Sequence, residues 1–194
     1  MSETLEPMGC YDFRMESPTN NPTLLVVAYP ELSADDRARI EQVRARHHPR
    51  AAAINAHFTL VFPTTLLSLD AFAREVAERA RGIESISFVF RCAIPFPDAE
   101  AGATDVFLVP DEGFAALARL ADQLYRGALA PVRRHDIPMI PHLTVARFGN
   151  PHDAAALAWG LNASDLAIQG RLSALDLVER GTQAVQSIGR VALT

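Results

Sequence analysis

The sequence predicts an α/β protein of the α+β kind, built as two related lobes, each an antiparallel-rich sheet flanked by helices, that face one another across a cleft. Three observations lead there. β-Branched and leucine-rich runs alternate with helical stretches in comparable number. The order of these elements repeats once along the chain. The third element of each half opens with a histidine and a threonine two residues apart, in "HFTLVFP" at 57–63 and "HLTVARF" at 142–148. Two copies are too few for a solenoid, so the repeat reads as paired lobes.

"TLLVVAY" at 23–29, ended by Pro30, has the composition of a buried strand. "SADDRARIEQVRARHH" follows as a helix with Ser33 as N-cap, Asp36 completing a weak capping box, and Ile40 and Val43 on one face. After the strand "HFTLVF", "SLDAFAREVAERARG" is a second helix with Leu69, Phe72, Val76 and Ala80 along one face and Gly82 as its stop. "SISFVFRCAIPF" is strand-like. The second half runs through the same order: "TDVFLVP" as a strand, then a helix in "DEGFAALARLADQLYRGAL" with Leu117, Leu120 and Leu124 on one stripe, then "HLTVARF". "PHDAAALAWGLN" is a shorter helix, and "LAIQGRLSALDLVER" and "QAVQSIGRVAL" close the chain as two strands around "GTQ".

A chain of 194 residues with 49% hydrophobic content supports one sizeable packed domain. Residues 1–22 are acidic and polar and read as a mobile tail or strap, neither secretory signal nor membrane anchor; 23–194 read as a single domain. The lobes are expected at about 23–97 and 104–194, divided by the Pro-, Gly- and Ala-rich "FPDAEAGA" at 96–103. Cys10 and Cys92 stand far apart without C-x-x-C company, so no zinc site or disulfide framework is indicated and a reduced, cytoplasmic chain is expected. A net charge of -5 argues against an extended nucleic-acid surface, though not against a local phosphate site. All 18 basic residues are arginine. Without an ε-amine, lysyl-adenylate ligation, Schiff-base catalysis, Ser-Lys catalysis and the G-x-x-x-x-G-K-[ST] phosphate loop are excluded.

Residues two apart on a strand face the same way, so His57 with Thr59, and His142 with Thr144, each point an imidazole and a hydroxyl into one space. The alternate residues, Phe58, Leu60 and Phe62 in one strand and Leu143 and Val145 in the other, anchor the back. One H-x-T is expected by chance in such a chain. Two, in the same slot of a repeated unit, favour a functional reading over two core histidines.

"HFTLVFP" and "PHLTVARF" resemble the paired H-x-[ST] motifs of the two-histidine (2H) phosphoesterase superfamily, in particular its 2'-5' RNA ligase and cyclic phosphodiesterase branch, over roughly residues 23–194. The resemblance implies a bilobal fold with pseudo-twofold symmetry and a central cleft where His57, Thr59, His142 and Thr144 meet. It implies metal-independent chemistry without a cofactor, on an RNA terminus or a small cyclic nucleotide. One histidine takes a proton from water, the other gives one to the leaving oxygen, and a 2',3'-cyclic phosphate opens to a 2'-phosphate. The threonines would donate to the non-bridging oxygens. The alternatives are 2'-5' RNA ligation by the reverse reaction and a non-catalytic nucleotide or RNA-end binding module.

Arg147, five residues after His142 as an arginine often is in this branch, is a candidate phosphate ligand or a surface ion pair; strict alternation puts it on the wrong face, so a bulge or the strand end must intervene. Tyr29, Phe62 and Phe148 sit at strand ends, as stacking partners for a base or as core. His135, Arg133 and Arg134 read as a solvated loop, His47 and His48 as a helix end where positive charge suits the dipole, and His152 as exposed. A repeat that makes its own cleft is expected to be a monomer without membrane contact.

Overall fold

The two H-x-T stretches lie at the edges of two separate antiparallel sheets. The structure, a computed structural model, describes residues 21–181 and 184–194. Its strands are β1 (Leu24–Ala28), β2 (Glu31–Leu32), β3 (Phe58–Thr64), β4 (Ile86–Asp98), β5 (Ala103–Glu112), β6 (Leu143–Phe148), β7 (Ile168–Leu172), β8 (Ala174–Arg180) and β9 (Val185–Ala192). Its helices are α1 (Ala34–His47), α2 (Leu69–Ala80), α3 (Phe114–Leu124) and α4 (Pro151–Asn162), with a 3-10 segment at Gly127–Val132. The first sheet runs β3-β1-β8-β9 and the second β2-β7-β4-β5-β6. The expected tail lies outside the described residues but for Asn21 and Pro22, as do Cys10 and two residues of the "GTQ" turn.

The α+β class and its paired sheets are as the sequence predicts, but the lobes are not the two halves of the chain. "FPDAEAGA" is no boundary: Asp98 pairs with Ala103 across the turn of the β4–β5 hairpin, within the second sheet. The halves exchange strands. β4 leaves the first half for the second sheet, and β8 and β9 return from the C-terminus to complete the first. "LAIQGRLSALDLVER" is accordingly two strands, parted at Ser173, one for each sheet. Each sheet then has a motif strand at its edge, the first strand of the same half beside it, and a strand from the other half next.

The helices follow the same exchange: α1 packs on β6 and α4 on β4 and β5, while α3 packs on β3 and α2 on α3 and β9. In α1, Ser33 Oγ accepts the Asp36 N–H at 3.1 Å, as its N-cap position predicts. Phe72, Val76 and Ala80 of α2, and Leu117, Leu120 and Leu124 of α3, turn inward; Leu69, in the first turn of α2, stays 38% exposed. Gly113 opens α3 with φ +82°, a left-handed conformation that favours glycine. The sheets meet through an aromatic cluster. Phe58, next to His57, stands edge-on to Phe88 at 5.2 Å and stacks with Phe90 at 5.7 Å. Gly170 of β7 lacks a Cβ where the Phe88 ring and Leu32 occupy the space.

Both motif strands break their alternation at the same place. In β3, Val27 of β1 faces Thr59 while Val26 faces Val61, which leaves one extra residue, Leu60, and both Leu60 and Val61 are buried. In β6, Phe107 faces Thr144 while Val106 faces Ala146, which leaves Val145 extra, and both Val145 and Ala146 are buried. Two successive side chains thus enter the core, and the residue after them returns to the face of the histidine and threonine. That residue is Phe62 in one strand and Arg147 in the other.

Candidate active site

His57 and His142 stand one residue before β3 and β6, and each is fixed by the same bond. His57 Nδ1 lies 2.7 Å from the Asn55 carbonyl, and His142 Nδ1 lies 2.6 Å from the Ile140 carbonyl, in both cases two residues back. A carbonyl oxygen only accepts, so each Nδ1 carries a proton and donates it. Nε2 of each neutral ring is then left with its lone pair, able to take a proton. Thr59 and Thr144 are partly exposed beside them.

The surroundings of the two rings differ. His57 meets Tyr29 edge-on at 6.1 Å. Its pKa is lowered from the ordinary 6.5 to about 4, first by burial, with the Asn55 bond opposing and with Arg44, His142 and His48 adding repulsion. His142 stacks on Phe107 at 3.6 Å, and Phe107 in turn stacks on Phe96 at 4.9 Å, so three rings form a ladder across β6, β5 and β4. The His142 pKa is also lowered, first by burial, with the Ile140 bond and the Asp105 carboxylate opposing. His142 is among the groups whose charge lowers the His57 pKa.

The bulge brings Arg147 onto the histidine face, where two carboxylates hold it: Asp105 by a forked pair of bonds at 2.7 Å and Asp98 at 2.8 Å. Its guanidinium is thus an ion-pair member, with its pKa raised chiefly by the Asp105 bond. Phe62 is half-buried and lines a cavity of about 220 Å³ with Tyr125, Asp122, Met139 and the arginine-rich 133–135 segment; the Tyr125 hydroxyl accepts the Phe62 N–H at 2.8 Å. Tyr29 sits against His57. Phe148 is the exception, since it lies past the bulge on the core side and packs against His47 at 5.4 Å.

Several residues at the site carry no motif. His48 interacts electrostatically with His57, Asp105 and Arg147, which makes it more than a helix-end charge. Its Nδ1 accepts the Arg50 N–H at 3.2 Å, so the neutral ring bears its proton on Nε2, opposite to the motif histidines. Asp105, 5% exposed, and Arg44, 1% exposed, are buried charges. A sequence signal existed for Asp105, an acid inside the apolar run "TDVFLVP"; for Arg44 and His48 there was none, because helix periodicity does not say what lies beyond the helix end. Among the described residues no three His, Cys, Asp or Glu side chains gather as a metal site would require, and no helix is long and apolar enough to cross a membrane.

The fold has solved counterparts. Escherichia coli LigT in its apo form is 21% identical, with 89% of this chain and 98% of that chain covered and a TM-score of 0.54. Usb1 of Kluyveromyces marxianus is 9% identical over 88% and 99% of the two chains at 0.57, and TT0787 of Thermus thermophilus is 16% identical over 88% and 97% at 0.59. These likenesses establish the architecture. No curated protein matches the sequence. The model of the 2'-5' RNA ligase superfamily matches residues 30–184, a span that holds both H-x-T strands and the exchanged strands β4 and β8. The chain therefore belongs to the 2'-5' RNA ligase superfamily of 2H phosphoesterases.

Proposed function

We propose that the chain is a metal-independent phosphodiesterase that opens 2',3'-cyclic phosphates, at RNA ends or on small nucleotides, to 2'-phosphates. The observation that carries this reading is the matched pair of Nδ1 bonds, to Asn55 and Ile140, which leave Nε2 of both histidines for proton transfer. Membership of the superfamily supports phosphoester chemistry, and E. coli LigT has been solved with 3'-AMP, with ATP and with phosphate. His57, neutral at physiological pH, is the base that takes the proton of the attacking water. His142, although burial lowers its pKa overall, is read as the acid that protonates the departing 3'-oxygen, because Asp105 opposes that burial and Phe107 offers its ring face to an imidazolium. The bound phosphate anion adds a further pull on that proton. Thr59 and Thr144 donate to the non-bridging oxygens, and Arg147, shared with two carboxylates, tempers the charge at the rim. Phe62, which lines a cavity with Tyr125 and Arg133, would stack on a base. Ligation to a 2'-5' linkage is the same path reversed.

Incubation of the full chain with 2',3'-cyclic AMP in EDTA tests the reading. Formation of the 2'-phosphate is expected, with a loss of about 10²–10⁴-fold in His57→Ala and His142→Ala. No turnover, or turnover indifferent to both substitutions, would overturn it.

A further inference from the structure

Arg44 is buried more deeply than any other charged residue described, at 1% exposure, and its contacts converge on the segment that leads to His57. Its Nη1 donates to Glu41 Oε2 at 2.7 Å and its Nη2 to the Ile54 carbonyl at 2.7 Å. The second oxygen of Glu41 accepts the Ala56 N–H at 2.8 Å. Two side chains one turn apart on α1 thus grip the residues on either side of Asn55, whose carbonyl takes the His57 Nδ1 proton. The same helix belongs to the other half of the site. Ile40 and Val43 line a small surface-open void with Leu108 and with Val145, the bulge residue of β6.

Stability does not account for this pair. A buried arginine and carboxylate lose much hydration, and apolar replacements of similar volume are often neutral or stabilising. Here Arg44 Nε is also buried with no partner among the described residues. What the pair does supply is a fixed geometry, with directed bonds that apolar packing would leave free. We propose that the Glu41–Arg44 pair is the positioning device of the site, clamping the Ile54–Ala56 segment to α1 and so setting His57 against the strand that carries His142. This rests on the reading of His57 as the base. The clamp carries a second effect, because the groups facing His57 are Arg44 of α1, His48 beyond its end, His142 and Tyr29. The Arg44 cation opposes protonation of the ring it positions.

The test uses the full chain with Arg44→Met, Arg44→Lys and Glu41→Gln, read by turnover of 2',3'-cyclic AMP and by ¹⁵N NMR of the histidine rings. In Arg44→Met, kcat is expected to fall about a hundredfold with KM changed only a few-fold. The acid limb of its kcat/KM profile moves upward, and His57 loses its pure Nδ1–H tautomer. Arg44→Lys keeps that limb but not kcat, since an ammonium cannot hold the forked contacts. A His57 tautomer and titration unchanged in Arg44→Met, or a lowered Tm with kcat intact, would overturn the proposal. If Arg44→Met does not fold, Glu41→Gln decides in its place: a loss of kcat at unchanged fold is expected, and none overturns the clamp. If the unaltered protein opens no cyclic phosphate, the reading of its function fails, while the ring spectra still decide whether Arg44 and Glu41 hold His57.

Discussion

β3 and β6 use one backbone device in two electrostatic settings. Each is preceded by a histidine that donates Nδ1–H to the carbonyl two residues back, each has a threonine as its second residue, and each inserts an extra residue that returns the fifth position after the histidine to the histidine face. Around that shared frame the neighbours are opposite. His57 has the buried Arg44 cation for company and an aromatic edge, whereas His142 has the Asp105 carboxylate and an aromatic face. The fifth position is Phe62 on one side and an ion-paired Arg147 on the other. The difference teaches how a duplicated motif can serve two roles. Symmetry of the backbone repeats the two like groups, and the buried charges around them differ in sign.

That comparison can be broken at several levels. The largest effect is expected where the strands are alike: Thr59→Val and Thr144→Val should each cost about 10²–10³-fold in kcat, the loss of one donor to a developing oxyanion, and a large loss from only one of them would end the equivalence. Next comes the fifth position. Phe62→Ala should raise KM for 2',3'-cyclic AMP by roughly tenfold with little change in kcat, the signature of lost base stacking, and an unaltered KM would return Phe62 to the core.

Asp105→Asn probes the charges alone. Asp105 raises the His142 pKa against burial, so its loss should move only the alkaline limb of kcat/KM, to lower pH, and narrow the bell. Movement of the acid limb instead would exchange the roles of the two histidines. The smallest effect is on stability. The folded pKa of His57 lies below 6.5, so its neutral state adds stability that is full above that pH and is lost as pH falls through about 4. Tm should therefore drop on acidification, and less steeply in His57→Gln, which thermal melts between about pH 7 and about pH 4 would show by comparison, a range that spans the reference histidine pKa.

How much of this was legible in the sequence follows from what each feature depends on. The helices and strands, the Ser33 cap, the inward faces of α2 and α3, and the pairing of His57 with Thr59 and of His142 with Thr144 were set by spacing, because backbone periodicity fixes which neighbours share a face. Even the need for an irregularity before Arg147 could be deduced from alternation, although its position could not. The strand exchange could not be read, since β4 carries the same apolar pattern whichever sheet closes on it; its partner is chosen by which pairing buries both faces. The same holds for the charges. Arg44 looks like a solvated helix arginine until the Ile54 carbonyl and Glu41 close around it, and Asp105 gains its meaning from Arg147, 42 positions away. By itself the sequence determined the two H-x-T strands and which of their residues share a face. Only the tertiary structure decided which strands close each sheet and which charges surround each histidine, because burial and long-range charge pairing exist only once distant segments pack together.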